Sequence, residues 1–239
     1  MKTALITGGA ARIGAQIART LHENNFKIII HCNQSLEKAQ LLSDELNSVI
    51  KDSSGVISGN LNNFESISSI VNSIDSLDLL VNNASVFYPK SVDNSEIDDW
   101  NDVINVNLRA PFFLSKGLSK KLSISSGSII NIIDIHADRP LKNHAVYNIS
   151  KAGLKMMTQT LAKELAPNIR VNGVSPGSIL WPEASAEISE AEKKLMLERI
   201  ALNRQGSPKD IADTVLFLAN SDYITGQIIN IDGGRTLNQ

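Results

Sequence analysis

Short, almost continuously apolar segments alternate with segments of helical periodicity along most of this chain of 239 residues. The apolar segments predict seven strands: Lys2–Ile6, Lys27–His31, Gly55–Ser58, Leu77–Val81, Ser128–Ile133, Arg170–Val174 and Gln227–Ile231. Parallel strands have this pattern when helices cover both of their faces. Such alternation builds right-handed crossovers. The sequence therefore predicts an α/β fold with a doubly wound, seven-stranded parallel sheet and helices on both faces.

Length and composition restrict the class of protein. Hydrophobic residues make up 42% of the chain and charged residues 20%, close to globular averages. With no repeat or shift in composition, we expect one domain over residues 1–239. The net charge of −2 gives no basic field for nucleic acid or anionic lipid. One cysteine, no apolar run of about 20 residues and no signal-peptide pattern predict a cytoplasmic protein without membrane partners.

A glycine-rich segment, "TGGAARIG" from Thr7 to Gly14, lies between the first strand and the first helical segment. Glycines permit a tight turn and the close approach of a pyrophosphate, whose charge is favoured at a helix N-terminus. The glycines could simply end a strand. Their place at the first strand–helix junction favours a dinucleotide site instead, with contacts from Gly8, Arg12, Ile13 and Gly14.

The second strand ends in "HCNQS", His31 to Ser35, and the first carboxylate after it is Glu37. Enzymes that use NAD usually hold the adenosine ribose with an acid at this point. An acid would repel the 2′-phosphate of NADP, whereas His31, Asn33, Gln34 and Ser35 offer polar groups to it. The segment therefore favours NADPH as cofactor. Ser35 could also be the N-cap of the next helix, and the two roles are compatible.

Thirteen residues separate Asp134 from Tyr147, and Lys151 follows Tyr147 by four. On a helix this spacing places Tyr147 and Lys151 on one face. A free tyrosine has a pKa of about 10, and a nearby ammonium is expected to lower it. A Tyr-x-x-x-Lys pair is common by chance. The strand end before it and the glycine loop favour a catalytic pair here.

These motifs resemble the short-chain dehydrogenase/reductase family, in which a Tyr-x-x-x-Lys pair carries the proton transfer and a serine normally occupies the position of Asp134. The aspartate, Arg12 in the glycine loop and Phe87 after "NNAS" resemble one branch, the pteridine reductases. The resemblance implies a Rossmann-type fold, a homotetramer, NADPH and a pterin substrate. Gln34 departs from that branch, which commonly carries an arginine there; the change removes a charge-assisted phosphate contact.

The same resemblance implies further site residues. Asn107 would help to hold Lys151 through water. The cofactor would also contact Asn60 and Leu61 around adenine, Asn83, Ala84 and Ser85 of "NNAS", and Pro176, Gly177 and Ser178 beside the nicotinamide, together with Tyr147 and Lys151. The substrate would meet Arg12, Ser85, Phe87, Asp134, Tyr147 and Trp181. In this interpretation Phe87 stacks on the pterin, and Trp181 either closes the pocket or anchors a loop.

The carboxylate of Asp134 restricts which kind of substrate can be reduced. An ionised carboxylate cannot donate a hydrogen bond and would repel a developing alkoxide. It can accept from the ring N–H groups of a nitrogen heterocycle, although it could also merely cap the following loop. We therefore expect NADPH-dependent pterin reduction assisted by Tyr147 and Asp134. A carbonyl or 3-ketoacyl reductase and a non-catalytic NADP sensor are the alternatives.

Two further expectations concern the substrate segment and metals. The segment Pro182–Leu202 is rich in Glu, Ala and Ser and has helix potential, so it is a candidate substrate lid. His136 lies two residues after Asp134 and His144 three before Tyr147, but no Cys or carboxylate accompanies them at metal-ligand spacing. We expect no metal site.

Overall fold

The computed structural model describes residues 1–181 and 189–237. Its strands are β1 (Lys2–Ile6), β2 (Phe26–Cys32), β3 (Ser54–Ser58), β4 (Leu79–Asn82), β5 (Ser128–Ile132), β6 (Arg170–Pro176) and β7 (Ile228–Ile231). Its α-helices are α1 (Arg12–Glu23), α2 (Leu36–Val49), α3 (Phe64–Asn72), α4 (Ile97–Ile104), α5 (Ala110–Ile124), α6 (Ala145–Glu164), α7 (Glu190–Glu198) and α8 (Pro208–Asn220). A π-helical turn, Asn105–Arg109, joins α4 to α5.

The seven strands form one parallel sheet in the order β3-β2-β1-β4-β5-β6-β7. The predicted doubly wound fold is therefore confirmed, and the strand ends lie within two residues of the predicted ones. The order of strands reverses between β1 and β4. In open α/β sheets, ligands bind beyond the carboxyl ends of the strands at such a switch point.

Two apolar layers cover the sheet. One packs α1, α2 and α8 on one face, and includes Ala4 and Ile6 of β1. The other packs α3, α5 and α6 on the opposite face, and includes Leu5 of β1. Successive strand residues thus enter opposite layers, which explains why the strands read as continuously apolar. Each fully buried aliphatic side chain stabilises the fold by about 1.5–3 kcal/mol.

Part of the segment after β6 is helical, since Glu190–Glu198 form α7. Residues 182–188, which form the first part of the predicted substrate segment, lie outside the described residues. The helix potential is confirmed by α7, which begins with a capping box in which Ser189 Oγ accepts from Glu192 N. The lid role stays a prediction. Within the described ranges, no helix combines the length and apolar character needed to cross a membrane.

Candidate active site at the carboxyl edge of the sheet

The glycine loop leaves an open cradle between β1 and α1. Gly8 has φ +61°, and a Cβ there would lie 3.0 Å from Ala84 Cα. A Cβ on Gly14 would lie only 2.3 Å from the carbonyl oxygen of Gly8. Main chains therefore approach here without side chains between them, which fits a pyrophosphate bound against the start of α1. Arg12 has φ +53°, a conformation that explains why related loops carry glycine at this position.

Thr7 fastens the "NNAS" segment to the glycine loop. Its hydroxyl oxygen accepts from the main-chain nitrogens of Asn83, at 2.9 Å, and Ala84, at 3.0 Å. The Asn83 side chain donates to the carbonyl oxygens of Thr7, at 2.9 Å, and Gly8, at 3.1 Å. The structure thus brings together two segments that the sequence assigned to the cofactor. Thr7 was not predicted, although a polar residue at the end of an apolar strand was a usable signal.

The residues after β2 fit a 2′-phosphate site. Asn33, Gln34 and Ser35 are exposed. Ser35 occupies the N-cap position of α2, but its hydroxyl makes no capping hydrogen bond. Its side chain is therefore available to a ligand, and the alternative role as a helix cap is not realised.

Two predicted cofactor residues turn their side chains inward. His31 is 1% exposed, and its imidazole lies between Gly8 N and Gly59 O. Leu61 is buried and packs in the layer formed by α3, α5 and α6. The sheet and the core occupy these two side chains, and the contacts of His31 and Leu61 with the cofactor stay a prediction. Asn60 remains exposed at the same turn, next to Leu61.

The predicted catalytic residues converge at the ends of β5 and α6. Tyr147 Oη donates a hydrogen bond of 2.7 Å to Oδ2 of Asp134. Oδ1 of Asp134 accepts from His136 N at 2.8 Å and caps the 3₁₀ turn Ile135–Ala137. One carboxylate oxygen therefore caps the following turn and the other orients Tyr147, while the role of Asp134 toward a substrate stays a prediction.

Burial and the charge of Asp134 raise the pKa of Tyr147 well above its usual value, and a hydrogen bond with the Ser85 hydroxyl opposes this only in part. The expected lowering of this pKa by Lys151 is therefore wrong. The Lys151 ammonium donates to Ile132 O at 3.0 Å and lies 5.6 Å from the centre of the Tyr147 ring. Burial lowers the pKa of Lys151 to about 8, while Asp134 opposes the shift. Tyr147 is thus protonated at neutral pH and suited to donate a proton.

Asn107 lies in the π-helical turn and joins three segments of the site. Its Oδ1 accepts from Val86 N at 2.7 Å, and its Nδ2 donates to Val86 O at 3.0 Å and to Ser150 Oγ at 3.1 Å. The amide therefore fixes the main chain before Phe87 against α6. Its role in holding Lys151 through water stays a prediction. Ser150, next to Lys151 in the chain, was missed by the sequence reasoning.

Phe87 lies beside Tyr147 with half of its surface exposed. Its ring meets Tyr147 edge to face at 4.8 Å and stacks on His144 at 4.7 Å, with 18° between the planes. His144 was noticed only as a possible metal ligand, and its contact with Phe87 had no local sequence signal. Within the described residues, no group of His, Cys, Asp and Glu could hold a metal ion.

The last strands complete the site. Pro176 ends β6, and a Cβ on Gly177 would lie 2.7 Å from Asp232 Cα, so this turn packs closely on the chain after β7. Ser178 O accepts from Gly206 N at 3.0 Å. Trp181 is half-buried, with Lys193 Nζ of α7 5.9 Å from its ring centre. This contact links Trp181 to the substrate segment, as expected of either a pocket wall or a loop anchor.

Comparison with known proteins assigns the family. A family model described as enoyl-(acyl carrier protein) reductase matches residues 8–236, which include Gly8 to Gly14, Asp134, Tyr147 and Lys151. The chain belongs to the short-chain dehydrogenase/reductase family. As a member of this family, it is an NAD(P)-dependent oxidoreductase, and the prediction of NADPH as its cofactor is confirmed.

Several curated short-chain reductases are similar to this one over almost their whole length. A 3-oxoacyl-(acyl-carrier-protein) reductase of Rickettsia bellii is 38% identical, covering 99% of this chain and 97% of its own. Proteins of the same name from Aquifex aeolicus, 36% identical, and Staphylococcus aureus, 35% identical, each cover 98% of this chain and 96% and 97% of their own. These names match the carbonyl-reductase alternative better than the pteridine reductase resemblance, which they leave unconfirmed.

Proposed function

We propose that this short-chain reductase reduces a pterin, a dihydropterin to the tetrahydropterin, with NADPH as hydride donor. The observation that supports the proposal is the 2.7 Å hydrogen bond from Tyr147 Oη to Asp134 Oδ2. A carboxylate stands where reduction of a carbonyl would use a hydroxyl. A developing alkoxide beside Tyr147 would meet this negative charge, whereas the N–H groups of a pterin can donate to it.

The protein's own groups supply the proton. Reduction of a ring C=N bond places a hydride on carbon and a proton on nitrogen. Tyr147 holds its proton at neutral pH, because burial and Asp134 raise its pKa. Asp134 orients the phenol and keeps a negative charge near the nitrogen that becomes protonated. Positioned acids of this kind contribute about 10²–10⁴-fold to a rate.

Phe87 gives a flat substrate a surface to pack on. Its ring is half exposed and touches Tyr147 edge to face at 4.8 Å, so a bicycle stacked on it would lie next to the proton donor. Aromatic pairs contribute about 0.5–1.5 kcal/mol beyond the burial of area. An aliphatic acyl chain would gain no such stacking.

Reduction of a 3-oxoacyl group is the second candidate, and two observations favour it. The curated relatives carry this activity in their names. In addition, the Ser85 hydroxyl lies close enough to Tyr147 to oppose the rise in its pKa, so a hydroxyl is present at the tyrosine even though Asp134 stands at the position of the usual serine. In this alternative, Ser85 would donate to the substrate carbonyl.

Steady-state oxidation of NADPH separates the candidates. The wild-type enzyme is assayed with dihydrobiopterin, dihydromonapterin, dihydrofolate, an acetoacetyl thioester and a simple ketone. We expect kcat/KM to be highest for a dihydropterin, and Phe87→Leu to lower it for pterins far more than for the thioester. Preference for the thioester, together with loss of that activity in Ser85→Ala, would establish the alternative. NADPH binding without turnover of any substrate would indicate the sensor.

The pterin reductase is further proposed to be a homotetramer. Size-exclusion chromatography with light scattering measures its mass directly, and a monomer or dimer across the working concentrations would contradict this part of the proposal.

A further inference from the structure

His31 connects two loops that belong to opposite ends of the cofactor site. Gly8 N, in the pyrophosphate loop, donates to His31 Nδ1 at 3.3 Å. His31 Nε2 lies 3.0 Å from Gly59 O, immediately before Asn60 in the turn assigned to adenine. The imidazole is 1% exposed and lies between the loops that follow β1 and β3.

These two contacts fix the protonation of the ring. Nδ1 must present its lone pair, because its partner is an N–H group. Nε2 must carry the proton, because its partner is a carbonyl oxygen. Burial lowers the pKa of His31, which favours this neutral form.

The main chain links the same loops nearby. His31 O accepts from Gly9 N at 2.9 Å, and Cys32 O accepts from Gly59 N at 3.0 Å. The strand therefore keeps both loops attached to the sheet even without the imidazole. The side chain adds a second connection, which runs from one loop to the other through the imidazole.

We propose that His31 is a positioning residue that sets the separation between the pyrophosphate loop and the adenine turn, so that one NADPH molecule can engage both. The proposal depends on NADPH being the cofactor and not on which substrate is reduced. It predicts a selective effect on ligands that span both loops. A ligand that occupies only the adenine end does not require their separation to be correct.

The test uses His31→Ala, His31→Asn and His31→Gln in the full-length enzyme. Asn keeps an acceptor near the position of Nδ1, and Gln keeps a donor near the position of Nε2. Isothermal titration measures Kd for NADPH and for adenosine 2′-monophosphate, which reaches only the adenine end. His22→Ala is the matched control. His22 is another buried histidine, located in α1, and its Nε2 forms a hydrogen bond of 2.7 Å with Ser53 Oγ.

For His31→Ala, we expect the Kd of NADPH to rise about tenfold and that of adenosine 2′-monophosphate about twofold or less, as for the loss of one or two hydrogen bonds. Its KM for NADPH should rise while kcat at saturating NADPH stays near wild type. His31→Asn and His31→Gln should each keep part of the affinity for NADPH that His31→Ala loses. His22→Ala should lower the unfolding midpoint and leave both Kd values unchanged.

Three outcomes would overturn the proposal. One is an unchanged Kd for NADPH in all three His31 variants. Another is an equal loss for both ligands, which would mean a local defect at the adenine end. The third is an equal loss in His22→Ala, which would mean general destabilisation. If His31→Ala does not fold, the Kd values for NADPH and adenosine 2′-monophosphate are compared in His31→Asn and His31→Gln instead.

Discussion

Tyr147 and Asp134 share a hydrogen bond of 2.7 Å, while the second oxygen of the same carboxylate caps the 3₁₀ turn that follows β5. The cap holds the orientation of the carboxylate, and the carboxylate holds that of the phenol. This pair differs from a Ser–Tyr pair in one physical respect: it places a negative charge, instead of a second donor, beside the reacting atoms.

Tyr147→Phe should lower kcat by about 10²–10⁴-fold, the usual contribution of a positioned general acid. Its Kd for NADPH should stay near wild type. Stopped-flow oxidation of NADPH and isothermal titration measure the two quantities. Tyr223→Phe is the control, because Tyr223 is fully exposed. Near wild-type turnover in Tyr147→Phe would exclude the phenol as proton donor.

Asp134→Ser should reduce kcat/KM for a dihydropterin and raise it for simple carbonyl compounds, since a hydroxyl can donate to a carbonyl oxygen and the carboxylate cannot. Asp134→Asn separates charge from shape, because it keeps an oxygen for His136 N but loses the charge. If neither variant changes the ratio of pterin to carbonyl activity, Asp134 serves only as the cap of the turn.

The rate should fall at alkaline pH as Lys151 loses its proton. Burial lowers the pKa of Lys151 to about 8, so the ammonium is present below that pH and lost above it. The pKa of Tyr147 is raised instead, so its ionisation should not cause the fall in rate at alkaline pH. The measurement is kcat/KM for the pterin against pH, which reports groups of the free enzyme. In Lys151→Arg, the side chain stays charged over the whole pH range, so the alkaline fall in kcat/KM should disappear. A wild-type profile that is flat through this region contradicts the assignment.

Gln34→Arg should tighten NADPH by about 1.5–3 kcal/mol at best, the range for hydrogen bonds to charged groups. Because the site is exposed, we expect the lower end of that range. Binding of NADH should not change, since it has no 2′-phosphate. Gln40→Arg, on the exposed side of α2, controls for added positive charge. Equal gains for NADPH and NADH would place Gln34 away from the phosphate.

Gly14→Ala should destabilise the fold and weaken NADPH binding. Its Cβ would lie 2.3 Å from the carbonyl oxygen of Gly8, so the main chain of the loop must move. We expect a loss of about 1–3 kcal/mol in the free energy of unfolding, as for other overpacked sites. Gly55→Ala is the control, because nothing lies within 4 Å of its added Cβ. Chemical denaturation measures the free energy of unfolding of both variants. Equal values would show that the loop accommodates the added Cβ without cost.

The sequence by itself determined the layered sheet, the glycine loop and the Tyr147–Lys151 pair. These follow from local patterns: apolar runs that fit buried parallel strands, glycines at a strand–helix junction, and four-residue spacing on a helix. Asp134 also lies where its spacing from Tyr147 indicated, at the carboxyl end of β5 and within hydrogen-bond distance of the first turn of α6.

Only the tertiary structure decided which way the side chains turn and what charge they carry. His31 and Leu61 face inward because of the pleat of β2 and the packing of α3, relations that no local pattern encodes. The pKa of Tyr147 is raised rather than lowered because its burial, and the nearness of Asp134 compared with Lys151, depend on how three separate segments meet. A pKa responds to distances in space, and residues far apart in the chain set those distances.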